Sequence, residues 1–129
     1  MQMDETGTQN NSVLIVEDEP HIAEALSFLL SREGINVSVH DNGEDAAQVA
    51  TDLAPHLVIL DVMLPNKSGF EILSEMREQP TLSATPVLML TAKGQAKDRQ
   101  AAQDAGVSMF MTKPFSNREI VENVKTLLG

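Results

Sequence analysis

Polar side chains that could do chemistry follow four apolar runs along the chain. In chain order they are Glu17 and Asp18, Asp61, Thr91 and Lys113. A short continuous run of aliphatic residues is typical of a strand buried on both faces, as parallel sheets require. Because the carboxyl ends of parallel strands lie along one edge of a sheet, where ligands bind in doubly wound folds, we expect these side chains to meet there.

The residue types at this edge indicate phosphoryl transfer. Three converging carboxylates would repel one another, and a hard divalent cation such as Mg²⁺, which prefers carboxylate oxygen and water, relieves that repulsion. Such a cation and the Lys113 ammonium could neutralise the oxygens of a phosphoryl group during its transfer. Asp61 would be the in-line nucleophile. Thr91 could then donate a hydrogen bond to a phosphoryl oxygen of the product.

Each of these residues also has an ordinary structural explanation. The acids at 17–19 could simply place negative charge at the start of a helix, and Asp61 could cap a strand end. Thr91 could be an ordinary strand-end residue, Lys113 a solvated surface lysine and Phe110 part of the core. The functional interpretation rests on the conjunction, since chance rarely places acids, a hydroxyl and an amine at one edge in this order.

The elements that must position these side chains alternate between strands and helices. Strand patterns cover 13–16, 35–39, 57–60, 87–90 and 107–111, and the second resembles an edge strand. Helical patterns begin at Pro20, near Glu44, near Phe70, near Ala96 and at a capping-box sequence over 116–119. This alternation predicts an α/β, doubly wound fold, with five parallel strands and helices on both faces of one sheet.

The helical pattern over about 96–105 differs from the others in its apolar face. That face is mostly alanine, at Ala101, Ala102 and Ala105. Alanine buries little apolar area, so we expect this helix to be weakly held and suited to movement.

The composition of the chain disfavours nucleic-acid and membrane partners. The chain has 129 residues, a formal net charge of −10, and no Cys, Trp or Tyr. This charge disfavours direct binding to nucleic acid, which needs Lys and Arg clusters, and suits a divalent cation or a basic partner. No apolar run reaches the roughly 18 residues of a membrane span, so no membrane partner is expected. We expect a disordered tail at 1–12 with no signal-peptide features, one domain at 13–129, and a cytoplasmic location.

At this point the sequence resembles the receiver domain of two-component response regulators, over about residues 12–128. The motifs that carry the resemblance are Glu17-Asp18, Asp61 with Pro65 and Gly69 after it, Thr91-Ala92, and Lys113-Pro114-Phe115. The resemblance implies the flavodoxin-like strand order 2-1-3-4-5. It also implies that the chain catalyses only its own phosphorylation and dephosphorylation.

The resemblance assigns a role to each site residue. Asp61 would be the phosphoacceptor, and Asp18 and Asp61 would ligate Mg²⁺ or Mn²⁺ with the backbone carbonyl of Met63. Glu17 would act through a metal-bound water. The family more often has Asp, with its shorter side chain, at this position. The Lys113–Pro114 peptide would be cis.

The resemblance also implies a switch at Thr91 and Phe110. Thr91 would move toward the phosphoryl group, Phe110 would fill the vacated space, and the surface of the fourth helix, fifth strand and fifth helix would change. Many family members carry Tyr where this chain has Phe110. The positions of Met63 and Lys93 modulate acyl-phosphate hydrolysis in the family, and an apolar Met63 predicts a persistent phosphoryl group.

The expected partner is a histidine kinase or a histidine phosphotransfer protein, and the expected architecture is a stand-alone receiver of the chemotaxis type. A phosphate shuttle or sink, the receiver part of a longer regulator, and a degenerate receiver are alternatives. A flavodoxin-like electron carrier would need a hydroxyl-rich phosphate loop where this chain has acids at 17–19. A haloacid-type phosphatase would need a second Asp where Met63 stands.

Overall fold

The computed structural model describes residues 11–92 and 96–129, which form one sheet of five parallel strands with helices on both faces. The strands are β1 (Ser12–Val16), β2 (Asn36–His40), β3 (Leu57–Asp61), β4 (Val87–Thr91) and β5 (Met109–Thr112). The helices are α1 (Pro20–Arg32), α2 (Ala46–Leu53), α3 (Gly69–Glu78), α4 (Ala96–Asp104) and α5 (Asn117–Leu128). The strands lie in the order β2-β1-β3-β4-β5, which confirms the predicted fold class and strand order.

Two apolar clusters hold the helices against the sheet, one on each face. Because side chains alternate along a strand, β1 directs Val13 and Ile15 to one face and Leu14 and Val16 to the other. Helices α1 and α5 cover the first face, and α2, α3 and α4 cover the second. The aliphatic runs of the central strands are therefore continuous because both of their faces are buried.

Strand β2 lies at the edge of the sheet, as its alternating pattern predicts. It pairs only with β1 among the described strands, and its Val39 side chain is exposed. The opposite edge of the described sheet is β5.

The residues that begin helices α1 and α5 agree with the sequence patterns, whereas the N-terminal cap of α3 was not predicted. Pro20 occupies the first turn of α1, where its missing N–H is harmless. The predicted capping box of α5 is half present, because the Ser116 hydroxyl accepts a hydrogen bond from the Glu119 N–H. Helix α3 has a complete capping box that was not predicted, in which Ser68 and Glu71 each accept a hydrogen bond from the other's backbone N–H.

Several predicted boundaries differ from the structure by one or two residues. Strand β1 begins at Ser12, and α2 begins at Ala46 rather than near Glu44. Strand β5 begins at Met109 rather than at 107, because the Val107 N–H still donates to the Ala102 carbonyl at the end of α4. The rest of the predicted tail, residues 1–10, lies outside the described residues. Within the described ranges, no helix combines the length and apolarity that crossing a membrane requires.

Helix α4 is anchored to the core chiefly by one small residue. Ala102 is fully buried in the cluster, and Ala105 packs at its margin. At the C-terminal end of the helix, the Arg77 guanidinium of α3 donates to the Gly106 carbonyl at 2.9 Å. The alanine-rich face predicted from the sequence therefore does face the core, and it buries little area.

We expect amide hydrogen exchange over residues 96–105 to be faster than in β3, because opening α4 exposes little apolar surface. Hydrogen-exchange mass spectrometry compares the two segments. Exchange over 96–105 as slow as in β3 would contradict this expectation.

Candidate phosphoacceptor site

Three carboxylates meet at the carboxyl edge of the sheet. Glu17 and Asp18 follow β1, and Asp61 ends the neighbouring β3, where Val16 is in register with Leu60. One ligand oxygen from each of the three side chains lies within 4.8 Å of the others. Glu17 and Asp61 are buried, whereas Asp18 is exposed. The predicted convergence of these acids is therefore present.

Lys113 joins two of these acids from the end of β5. Its Nζ lies 3.2 Å from Glu17 Oε1 and 3.2 Å from Asp61 Oδ2. The lysine side chain is itself mostly buried, and its backbone N–H donates to the Thr91 carbonyl at 2.6 Å. The Lys113–Pro114 peptide is cis, as the resemblance implied.

The Asp61 carboxylate is held by a donor on each of its oxygens. Oδ2 faces the Lys113 ammonium, and Oδ1 accepts the Met63 backbone N–H at 3.2 Å. The resemblance implied a role only for the Met63 carbonyl, and this amide contact was not predicted. Gly69 passes so close to the Asp61 carbonyl that a Cβ there would collide with it. The loop after Asp61 therefore folds back tightly against the end of β3.

Glu17 lies in a different electrostatic environment from an exposed acid. Burial, followed by its hydrogen bond with Asp61, raises the pKa of Glu17 to about 7. Its backbone N–H donates to the His40 carbonyl, and its Oε2 accepts the Glu19 N–H at 3.1 Å. Glu17 and Asp61 are thus two buried acids that share one lysine, and their mutual repulsion is the cost that a cation would offset.

The metal-free protein is expected to lose stability as the pH rises from about 4.5 to about 7. The folded-state pKa of Glu17, about 7, exceeds its ordinary value of 4.5. This contribution to the free energy of unfolding is complete below pH 4.5 and disappears as the pH rises through about 7. Urea unfolding with a chelator present measures the trend, and Glu17→Gln should flatten it. An equally steep fall in the variant would assign the pH dependence to other groups.

Thr91 and Ala92 lie at the carboxyl end of the strand next to Asp61. Thr91 is buried at the end of β4, next to β3, and Ala92 is exposed. A cavity of about 420 Å³ lies on the Asp18 side of the site, and one of about 380 Å³ lies on the Thr91 side, lined also by Met63 and Ala92. Thr91 therefore borders both the acidic site and an open space.

Phe110 is half-buried on β5 and packs at the margin of the apolar core. The Arg99 guanidinium of α4 lies over the Phe110 ring, 5.3 Å from the ring centroid. This contact between α4 and β5 was not predicted from the sequence. Lys93 lies outside the described residues, and Met63 is 72% exposed, so the expected persistence of the phosphoryl group stays a prediction.

The donor set fits a hard divalent cation. The three side chains offer only carboxylate oxygens, and those of Glu17 and Asp61 are buried. Burial, and then the contact with Asp61, already raise the pKa of Glu17. Mg²⁺ and Mn²⁺ prefer such oxygen ligands, whereas softer metals prefer nitrogen or sulfur. The cluster can therefore hold a divalent cation next to a nucleophilic carboxylate and a lysine.

Comparison with known proteins agrees with this arrangement. The family model of the response regulator receiver domain matches residues 13–125. The probable transcriptional regulatory protein TcrX of Mycobacterium tuberculosis is 44% identical over 118 residues, which cover 91% of this chain and 49% of TcrX. The chain spans about half the length of the curated relatives it matches.

Solved structures of other proteins have the same fold as this chain. A response regulator from Chloroflexus aurantiacus superposes with a TM-score of 0.87 at 34% identity, covering 92% of this chain and 98% of that one. The receiver domain of the sensor histidine kinase PA1611 from Pseudomonas aeruginosa gives 0.86 at 26% identity, covering 93% and 98%. In that structure a magnesium ion is coordinated in the active-site cleft.

Proposed function

The chain belongs to the receiver-domain family of two-component response regulators, and we propose that its function is to accept a phosphoryl group on Asp61. Histidine kinases phosphorylate the receiver domains of this family. The observation that carries the proposal is the grouping of Asp61 with two further acids and Lys113 at one edge of the sheet. The donor would be a phosphohistidine of a histidine kinase or a histidine phosphotransfer protein.

The roles of the acids follow from their positions. Asp18 and Asp61 would hold Mg²⁺ together with the Met63 carbonyl, and Glu17 would act through a metal-bound water. The magnesium ion coordinated in the PA1611 receiver supports this assignment by similarity. When bound, Mg²⁺ supplies positive charge that neutralises the phosphoryl oxygens and the carboxylates.

In the transfer step, a carboxylate oxygen of Asp61 forms a bond to phosphorus while the phosphorus–nitrogen bond of the donor breaks. The donor imidazole leaves with the bonding electron pair. Lys113, which contacts Asp61 at 3.2 Å, supplies a fixed positive charge next to the reacting oxygens. The Met63 N–H on the other oxygen of Asp61 keeps the carboxylate oriented.

The product would act through a switch. Thr91 would donate to the new phosphoryl group, and Phe110 would move into the space beside it. Because Arg99 stacks on Phe110, movement of the ring would disturb the contact between α4 and β5. The surface formed by α4, β5 and α5 would then change its affinity for a protein partner.

The output of the switch takes one of two forms. A stand-alone receiver would dock on a separate target or pass its phosphoryl group on as a shuttle or sink. A receiver within a longer regulator would act on an attached domain. The second form is favoured by the relatives named as transcriptional regulatory proteins, since this chain covers only about half of their length.

Intact-mass spectrometry tests the proposed function. Incubation with acetyl phosphate and Mg²⁺ should add one phosphoryl group of about 80 Da, and the adduct should be lost on treatment with hydroxylamine, as expected for an acyl phosphate. A chelator should prevent its formation. No adduct with either acetyl phosphate or a phosphorylated histidine phosphotransfer protein would contradict the proposal.

Millimolar Mg²⁺ is expected to raise the melting temperature at neutral pH by about 5 °C, since a ligand that binds only the folded state stabilises it. Asp18→Ala should abolish this shift, because Asp18 is one of the three clustered carboxylates. Differential scanning calorimetry measures the effect. Glu24→Ala, which removes an exposed acid of α1, is the matched control and should retain the full shift. An unchanged response in Asp18→Ala would place the metal elsewhere.

A further inference from the structure

We propose that Lys67 is a positioning residue for the phosphoacceptor site, because its side chain ties the loop after Asp61 to the loop after β2. These segments are the β3–α3 loop (residues 62–68) and the β2–α2 loop (residues 41–45). The expected effect of Lys67 on phosphorylation rests on the proposed function. The contacts by which Lys67 joins the two loops, called the Lys67 tie below, are a property of the folded chain. Lys67 would act through the loop and would not touch the phosphoryl group.

The Lys67 ammonium bridges two elements outside its own loop. Its Nζ lies 2.7 Å from Glu75 Oε2 on α3 and 3.2 Å from the Glu44 carbonyl in the β2–α2 loop. The Lys67 side chain is only 22% exposed, so it is packed between these partners. The Glu75 carboxylate raises the pKa of Lys67, which keeps the ammonium charged. Two acceptors from different elements and a half-buried side chain distinguish this lysine from a solvated surface residue.

The backbones of the two loops are also in close contact. A Cβ on Gly43 would lie 2.7 Å from the Lys67 carbonyl oxygen, a separation that side chains do not tolerate. The Asn66 side-chain amide lies 3.4 Å from Asn42 Oδ1, and Asn66 has a positive φ of 73°. Gly43 therefore permits an approach of the two loops that the Lys67 side chain then secures.

The Lys67 contacts hold the C-terminal end of the β3–α3 loop. The N-terminal end of the same loop touches Asp61. The Val62 carbonyl accepts the Gly69 N–H at 2.9 Å, and the Met63 N–H donates to Asp61. Within the loop, the Lys67 N–H donates to the Pro65 carbonyl at 2.8 Å. With both ends held, the Met63 peptide keeps one orientation relative to Asp61. Releasing Lys67 would let that peptide reorient.

The test combines amide exchange, Mg²⁺ affinity and phosphorylation rate in Lys67→Met and Glu75→Gln. Lys67→Arg is the conservative variant that keeps a charged donor. Two controls match the charge changes: Glu78→Gln on the same helix, and Lys125→Met, which breaks the ion pair with Glu33 at the far end of the molecule.

In metal-free protein, we expect the backbone amides of residues 63 and 67 to exchange at least about fivefold faster in Lys67→Met and in Glu75→Gln (the tie variants), as measured by NMR. By calorimetry, the dissociation constant for Mg²⁺ should rise about 3–10-fold, since residues that orient metal ligands typically affect affinity to this extent or more. The phosphorylation rate with acetyl phosphate at saturating Mg²⁺ should fall by a similar factor. Lys67→Arg and both controls should stay close to the unsubstituted protein.

Unchanged exchange of the Met63 amide in both tie variants would overturn the proposal, as would an equal loss of Mg²⁺ affinity in Glu78→Gln. Faster exchange with unchanged Mg²⁺ affinity and unchanged phosphorylation rate would also overturn it, because the tie would then hold the loop without serving the site. Failure of the proposed function would look different, since the unsubstituted protein itself would take up no phosphoryl group.

Discussion

Asp61→Asn is expected to abolish phosphorylation by acetyl phosphate, so that no adduct is detected by intact mass in the presence of Mg²⁺. The amide has no nucleophilic oxygen of comparable strength, and it removes one of the three carboxylates that would hold the metal. The fold should persist, because asparagine can still accept the Met63 N–H. The metal-free variant should be at least as stable at pH 8, since Asp61 contributes to the raised pKa of Glu17.

The matched control for this experiment is Asp41→Asn. Asp41 is an exposed acid that follows β2 on the same side of the sheet, and it lies outside the cluster of three. This variant should gain the phosphoryl group as the unsubstituted protein does. An adduct of equal extent in Asp61→Asn would move the phosphoacceptor to another side chain, which peptide mapping would then identify.

Lys113→Met is expected to reduce both phosphorylation and stability. Loss of a fixed charge beside the reacting oxygens should slow the reaction with acetyl phosphate by about 10–100-fold. The same change leaves Glu17 and Asp61, which are 2% and 4% exposed, without their shared cation. At pH 8 without metal, we expect a loss of about 2 kcal/mol in the free energy of unfolding.

The loss of stability in Lys113→Met should depend on pH. Below about pH 7 Glu17 is protonated in the folded protein and needs no counter-charge, so the penalty should be smaller there than at pH 8. Lys125→Met is the control, because the Lys125 side chain is 59% exposed and its ion pair should contribute only about 0–1 kcal/mol. A pH-independent loss in Lys113→Met would mean that the lysine stabilises through its aliphatic stem alone.

The sequence by itself determined the sheet and the place of its chemistry. In a strand, an aliphatic run such as 57–60 is buried completely only when both faces of the strand are covered. In parallel β-α units, the carboxyl ends of all strands lie at one edge of the sheet. Glu17, Asp61 and Lys113 could therefore be grouped before any distance was known, although 96 residues separate the first from the last. Local composition also identified the alanine face of α4, because a helix buries whichever side is apolar.

Only the tertiary structure determines the pKa values and the loop conformations at that edge of the sheet. The pKa of Glu17 depends on burial and on a neighbour from another strand, and neither can be read from a run of acids. The Met63 amide contact with Asp61 and the Lys67 tie depend on the conformation of two loops that meet only in the folded chain. Periodic burial specifies strands and helices locally, whereas loop conformation follows from contacts between segments distant in sequence, such as Lys67 with Glu44, so only the folded structure fixes it.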